Sequence, residues 1–490
     1  TRGAQAVEGE QAPGARWQAP LWGVGRVFAL ENPARWGGLI DLPPTAEVKA
    51  QAATLAAALD ARDGEDQVAI RQGRRFAGRI AHAEPPPAPA PVVRAGATYL
   101  VTGGFGGVGR LVGQWLAEQG ASDIALMGRT AKADHPAVRE IEALGACVHI
   151  VAADVADEAS LAAALKALSG RAPPLAGVFH AAADFGVATI AAADRAGVQA
   201  VLRPKLNGLI ALERATAAND LDFVVLFSST TALLGASGFS AYAAANAFLD
   251  ASAETASGDR KTVSIRWGTW EAMRLASDVQ QDAYRAAGLQ PLPKAQALEL
   301  MGRALVGGAT TPVFAKIDWA KLKPLHEAKG ERPFLSAMEA EATEVIPAEG
   351  AKAKLIDMLR DASPDQREQM LLDFVAAEVA VVLETPPDAP SSHEAGLFEL
   401  GMDSLMSVEL KRRLERGFGA PLPSTLTFNY PSIRALAGFL LQLAASATAT
   451  EPEPEPVSRP TRVPVDAQDL DALSDEELQA QLMVLLEETK

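Results

Sequence analysis

Two stretches of this sequence hold residue types that could act together chemically. One has Ser228 and Ser229, then a short loop, then Tyr242 with Asn246 four positions on. On a helix, positions i and i+4 share a face, so a phenol and a carboxamide there can address one small group. A tyrosine can hand a proton to a reducible carbonyl once a neighbouring cation lowers its pKa from about 10. Taken alone, such a tyrosine is more often a core residue with a satisfied hydroxyl; its place on the helix after a serine-tipped strand favours the chemical role. The second stretch is Thr102, Gly103, Gly104, Phe105, Gly106, Gly107, Val108 and Gly109, which fits both G-x-G-x-x-G and T-G-x-x-x-G-x-G. A side chain in such a turn would hold a pyrophosphate away from the N-terminus of the helix that follows.

These residues need elements to hold them. The apolar run 98–101 suits a buried strand, and Val108, Leu111, Val112, Trp115 and Leu116 recur at helical spacing. Further strand candidates at 124–127, 147–152, 177–180, 223–227 and 263–267 alternate with helix candidates. That alternation predicts an α/β fold, a Rossmann-like doubly wound parallel sheet with ligands at the carboxyl ends of its strands. After the second strand no acidic residue is placed to grip a ribose 2′-hydroxyl, and Arg129 instead suits a 2′-phosphate; a solvated surface arginine is the alternative. Asp154, after the third strand, suits either an adenine amino group or the N-cap of a helix beginning near Glu158.

The 490 residues allow about three domains, and 48% hydrophobic content can fill their cores. The net charge of −16 argues against nucleic acid as a partner. No apolar run reaches the ~18 residues of a membrane span, and no signal layout opens the chain. The single cysteine, Cys147, excludes a disulfide framework, and no Cys/His cluster has metal-ligand spacing, so no metal is expected and a cytoplasmic location fits. The chain begins at Thr1 without a methionine, which suggests a fragment of something longer. Residues 1–83, with Trp17, Trp22 and Trp36, read as a packed half-domain of structural role, and 84–97 as a proline-rich strap. The sheet domain occupies 98–328 and a linker 329–365. Leu371, Val375 and Val379, then Ile433, Leu436, Ala437, Leu440 and Leu441, mark helices of a small four-helix bundle over 366–445. A Pro/Glu linker follows over 446–466. Ser474 with Glu477 makes a capping box for an apolar-striped helix within 467–490, too short to stand without a partner.

Residues 21–322 resemble the ketoreductase domain of modular type I polyketide synthases, within the short-chain dehydrogenase/reductase superfamily. PLWGVGRVFALENPARWGGLIDL from Pro20 is similar to the silent structural half of that domain, TGGFGGVG to its nucleotide loop, FHAAA from Phe179 to its fourth-strand turn, and FSSTTALLGASGFSAYAAAN to its catalytic segment. The resemblance implies NADPH held by Thr102, Gly103, Gly104, Gly106, Gly107, Gly109, Arg129 and Asp154. It also implies a tetrad: Tyr242 as proton donor, Ser229 as hydrogen-bond donor to the carbonyl, Lys205 in RPKLNG as the cation, and Asn246 as a positioning group. The two stereochemical markers of the family are missing. Phe185, Gly186 and Val187 stand where one product class has L-D-D, and Leu234 where the other has tryptophan, so the hand of the product is not assigned. Phe239 also replaces the usual glutamine or histidine.

GMDSL at 401–405 is similar to the attachment motif of acyl carrier domains, which implies a 4′-phosphopantetheine arm on Ser404; by composition alone, Asp403 or Ser404 would be a helix cap. The implied function is NADPH-dependent reduction of a β-ketoacyl thioester to the β-hydroxyacyl thioester. The implied partners are a ketosynthase and an acyltransferase upstream, a dehydratase as an option, a downstream module met through the C-terminal helix, and a second copy in a homodimeric module. A reductase of a free metabolite and a silent scaffold that only presents the carrier are the alternatives. The direct passage from Arg79 to Ala97 leaves no room for an inserted enoyl reductase.

Overall fold

The computed structural model describes residues 1–7, 15–271, 284–338 and 363–446, apart from short gaps at 45–46, 62, 85, 89–91, 257–259, 328–329, 384, 386–392, 398–399, 401, 403, 419, 421 and 423–425. The helix expected within 467–490, the linker beyond Ser446 and most of the linker over 329–365 lie outside the described residues.

Strand β1 (Leu39–Asp41) pairs in parallel with β2 (Gln67–Arg71), which turns back into β3 (Arg74–Ala77). The turn uses Gln72 and Gly73 at φ 50° and 75°, both left-handed, as a two-residue hairpin turn of this twist requires. Helices α1 (Ala15–Glu31) and α2 (Val48–Asp60) complete this part. Buried Asp41 pairs with Arg71 at 2.6 Å and accepts from the amides of Ala4 and Gln5, tying the start of the chain to the sheet.

The main sheet holds β4 (Thr98–Thr102), β5 (Asp123–Gly128), β6 (Cys147–Ala152), β7 (Leu175–His180), β8 (Phe223–Ser229), β9 (Lys261–Trp267) and β11 (Val313–Phe314) in the order β11-β9-β8-β7-β4-β5-β6, parallel throughout. A two-residue strand β10 (Leu289–Gln290) pairs separately with β12 (Lys316–Ile317). All six expected strands form. The seventh, β11, is too short to carry a readable pattern.

Alternation along the strands divides the core in two. Tyr99, Val101, Ile124 and Leu126 face α3 (Gly107–Glu118), α4 (Pro136–Glu142) and α9 (Lys294–Val306). Leu100, Ala125 and Met127 face α5 (Glu158–Ser169), α6 (Arg195–Ala215) and α8 (Ser240–Glu254). Burial on both faces is what a parallel sheet between helix layers demands. Short α7 (Thr231–Leu234) leads into α8, and α10 (Trp319–Glu327) follows β12. Chain direction across the sheet reverses between β4 and β7, which opens a crevice at their carboxyl ends.

Helix α1 lies on α8 with almost no side chain between them. A Cβ placed on Gly23 would stand 2.5 Å from the carbonyl oxygen of Ala243. Ala15 and Ala19 meet Ala247 and Ala251 along the same crossing.

The carrier bundle comprises α11 (Pro364–Val382), α12 (Ser404–Phe418), α13 (Leu426–Asn429) and α14 (Ile433–Ser446). Ser363 and Gln366 form a capping box at the start of α11. Leu371, Val375, Val379, Leu410, Leu414, Ile433, Leu436, Ala437 and Leu440 are buried, and Arg413 of α12 pairs with Glu378 of α11. Leu441 is only partly buried, at the margin of the expected stripe.

The α1–α8 crossing yields a stability prediction. Gly23→Val must push two backbones apart, an overpacking that costs about 1–3 kcal/mol. Urea denaturation should show this loss, with a smaller one for Gly23→Ala; a valine variant as stable as the parent would mean that the helices separate freely.

Candidate active site

The nucleotide loop begins where β4 ends. Gly103 sits at φ 67°, and a Cβ on Gly109 would come within 2.2 Å of the Gly103 carbonyl oxygen, so helix α3 starts directly against the turn. Gly106 is the N-cap of α3, no side chain caps it, and Gly106 and Gly107 are exposed. The first amides of α3 therefore face outward without a side-chain acceptor, which fits a pyrophosphate.

Arg129 lies just beyond β5 with its side chain 65% exposed and its guanidinium 3.7 Å from the Asp184 carboxylate. Asp154 accepts from the Ala156 amide at 2.9 Å and from Arg203 at 2.6 Å. Burial raises its pKa, but those two bonds and the charges of Arg203 and Arg129 outweigh it and hold the carboxyl below its ordinary value. The N-cap of α5 is Asp157, which accepts from the Ser160 amide, so the capping alternative for Asp154 does not hold.

The four tetrad residues converge. Ser229 is the last residue of β8, Tyr242 and Asn246 lie one turn apart on α8, and Lys205 reaches in from α6. The Lys205 side chain is buried, donates to the Phe227 carbonyl oxygen at 2.6 Å, and sits 5.6 Å from the centre of the Tyr242 ring. Burial pulls its pKa down from 10.5 to about 7, against the charge of Asp250. Asn246 is fully buried; its Nδ2 donates to the Tyr242 carbonyl at 2.8 Å, and its Oδ1 has no partner among the described residues. Ser229 Oγ accepts from the Thr231 amide and donates to Thr231 Oγ1 at 3.0 Å.

One expectation is corrected. The Tyr242 phenol is pushed up to about 12 rather than lowered. Burial dominates, and the side chains of Asn246 and Ser229, which favour the ionised form, only partly offset it. The cation expected to lower it is itself pulled down to about 7 by burial, so its charge near neutral pH is only partial.

Three further groups frame this centre. Phe185 and Phe239 flank the Tyr242 ring with centroids 5.0 and 6.4 Å away, an aromatic wall where the family markers are missing. His180 is fully buried between Thr102 Oγ1, 2.8 Å from its Nδ1, and the backbone of Pro204 and Lys205 on α6. Burial first, then the charge of Lys205, lowers its pKa to about 3, so it is a neutral ring bonded to the nucleotide loop, and its Nε2 has no hydrogen-bond partner among the described residues. Glu31, at the end of α1, accepts from the amides of Ile190 and Gly238 at 2.7 Å each. The sequence assigns residues 1–83 a purely structural role, and sequence reasoning missed Glu31 because nothing near it in sequence is reactive.

A cavity of about 540 Å³ lies away from this centre, lined by Arg26, Gln67, Asp250, Glu254 and Arg266. These groups bond one another or nearby backbone, so the cavity's polar wall is already satisfied. The fold also gathers ligating atoms of Asp123, Cys147 and His149 within 4.8 Å, a cluster that sequence spacing did not reveal. It sits at the amino-terminal ends of β5 and β6, opposite the catalytic end, with His149 and Asp123 bonded to each other at 2.8 Å.

Residues 97–272 match the KR domain family and 373–440 the phosphopantetheine attachment site family. Residues 1–80 match the Rossmann-fold domain of the polyketide synthase extender module SpnB. A solved structure of A-type ketoreductases from a modular polyketide synthase is 38% identical, with a TM-score of 0.64, over 69% of this chain and 72% of that one. The chain belongs to the modular polyketide synthases. The ketoreductase from the first module of phoslactomycin biosynthesis in Streptomyces sp. HK803 is 34% identical, TM-score 0.64, over 70% of this chain and 81% of that one. A phenolphthiocerol/phthiocerol polyketide synthase chain of Mycobacterium tuberculosis is 34% identical over 90% of this chain, which spans only 28% of that relative's length. This polyketide synthase segment thus carries an NADPH-dependent ketoreductase and a carrier domain for a 4′-phosphopantetheine arm. Ser404 is the first residue of α12, at the helix end that favours a phosphodiester.

The buried lysine predicts a pH signature. The folded chain holds the Lys205 proton less tightly than the unfolded chain, so its burial penalty is complete below about pH 7 and fades as pH rises towards 10.5. Lys205→Met should be more stable than the parent near neutral pH, lose the rise in stability between those limits, and reduce substrate poorly. Denaturant titrations across that window check this; an unchanged pH slope in the variant would count against a depressed lysine.

Proposed function

We propose that this chain reduces the β-keto group of an acyl thioester carried on Ser404, with Tyr242 as the proton donor. The support is the convergence of Ser229, Lys205 and Asn246 on one half-buried phenol at the carboxyl end of the sheet. When bound, NADPH would supply the hydride; Thr102, Gly103, Gly104, Gly106, Gly107 and Gly109 would hold its phosphates, Arg129 its 2′-phosphate and Asp154 its adenine.

The phenol holds its proton across the physiological range, because burial keeps it neutral. It donates that proton to the substrate oxygen as negative charge develops there. Ser229 Oγ already accepts from the Thr231 amide, so rotating its hydrogen away from Thr231 Oγ1 directs it to the same oxygen. Lys205, poised near neutrality, supplies positive charge close to the ring when protonated, which stabilises the phenolate left behind. Asn246 fixes the first turn of α8 through the Tyr242 carbonyl.

In the full assembly a ketosynthase and an acyltransferase act before this segment, with a dehydratase in modules that have one. Residues 467–490 pass the chain to a downstream module, and the module works as a homodimer in the cytoplasm. Among the described residues no helix is long and apolar enough to cross a membrane.

Two measurements test the site. Tyr242→Phe should slow reduction of a β-ketoacyl arm loaded on Ser404 by about 10²- to 10⁴-fold, read by intact mass, with NADPH affinity nearly unchanged; near-normal turnover would remove Tyr242 from the mechanism. Arg129→Ala should cost NADPH about one to two decades of affinity, the worth of a charge-assisted pair, and cost NADH little. Equal losses for both dinucleotides would show that Arg129 does not read the 2′-phosphate.

A further inference from the structure

The two segments that carry the aromatic wall are loops, and neither is held by the sheet alone. Phe185 lies in the segment after β7 and Phe239 in the segment between α7 and α8. They are tied to each other where the Ala188 amide donates to the Gly238 carbonyl at 2.9 Å, beside a bridge from Ala188 to Phe239. Both are then tied to one side chain outside the catalytic sheet. Glu31 Oε2 accepts from the Ile190 amide and Glu31 Oε1 from the Gly238 amide, each at 2.7 Å.

The same helix also holds the start of the second loop. Arg26 donates to the Ala232 carbonyl of α7 at 2.6 Å, and a Cβ on Gly235, which has φ 74°, would stand 2.9 Å from the Arg26 carbonyl oxygen. Helix α1 therefore touches both of the loops that carry the aromatic rings. Phe185 is 42% and Val187 66% exposed, an unusual amount of apolar surface beside a catalytic phenol and suited to an acyl chain.

We infer that Glu31 is a positioning residue for substrate selection: its two carboxylate oxygens clamp the Phe185 and Phe239 loops together, so the silent half of the domain sets how the β-keto thioester lies over Tyr242. This rests on the ketoreductase mechanism proposed above. The chemistry needs a carboxylate in particular, because two amide donors approach two different oxygens. A glutamine keeps one acceptor and turns an NH₂ group towards the other amide, which releases one loop and keeps the size and shape of the side chain.

Glu31→Gln in the full chain tests this. The expected result is a loss of roughly tenfold in kcat/KM for a β-ketothioester, a changed ratio of the two hydroxyl epimers, and unchanged NADPH affinity and unfolding midpoint. A merely structural Glu31 would instead lower stability and NADPH affinity together, and that outcome overturns the inference, as does an unchanged epimer ratio with unchanged kcat/KM. Amide hydrogen exchange supplies a readout independent of catalysis: at least one of the segments 185–190 and 235–239 should exchange faster in the variant. Were the parent chain unable to reduce the thioester, the mechanism would fall while the exchange result still decided the clamp; unchanged exchange in both segments would refute it.

Discussion

The position of the catalytic centre depends on how closely α1 and α8 cross. At Gly23 and Ala243 two backbones meet with no side chain between them, one residue from Tyr242. Packing at such distances leaves no slack, since interiors transmit displacements of a few tenths of an ångström. The alanine row on both helices extends the contact, so α8 is located by the other half of the domain as much as by the sheet beneath it. This explains why a half without reactive residues accompanies the catalytic one.

Burial does the electrostatic tuning. Lys205, His180 and Tyr242 are each pushed towards the uncharged form, and loss of solvent is the largest cause in every case. The result is a centre whose lysine is poised between its charged and neutral forms near neutral pH, bordered by the pairs that Asp250 and Glu254 of α8 make with Arg266 of β9. In a low-dielectric site, charge developing on a substrate oxygen interacts strongly with the few polarised donors present. The buried Asn246 Oδ1, unpartnered among the described residues, belongs to the same pattern: a polar group placed in the interior at a cost of about 1–3 kcal/mol, beside the residue it positions.

Most of the sheet was legible from the sequence because its strands are buried on both faces and bounded by glycine turns, as at 98–109. The pair Tyr242 and Asn246 was legible because helical periodicity alone puts them together. Lys205 was reached only through resemblance. It stands on a different helix, and its contact with the Tyr242 ring arises from α6 packing against α8 on the sheet, a tertiary fact with no local sequence signal. The expected direction of the tyrosine's pKa failed for the same reason: a cation's presence can be read from residue types, but its own desolvation cannot. Asp154 looked like a cap because the true cap, Asp157, is equally acidic and three residues away. Glu31 escaped notice because its partners are backbone amides, which every sequence contains.

The cofactor side and the substrate side of the centre are built on different principles. The nucleotide turn is rigid from within: Gly103 and Gly109 touch backbone to backbone, and Thr102 bonds the turn to His180 at the end of β7. The substrate loops are set from without, by Glu31 and Arg26 of α1 and by the positive-φ glycines Gly235 and Gly238 that let the second loop lie against the helix and the first loop. A displacement of α1 therefore moves Phe185 and Phe239 relative to a nucleotide turn that stays in place. The first loop leaves β7 bonded to the turn, where the Ala182 amide donates to Thr102 Oγ1. Its far end, at Ala188 and Ile190, is held by the second loop and by Glu31. Selectivity for the acyl chain and the face of the carbonyl can therefore change through α1 at the end of the loop distant from the nucleotide turn.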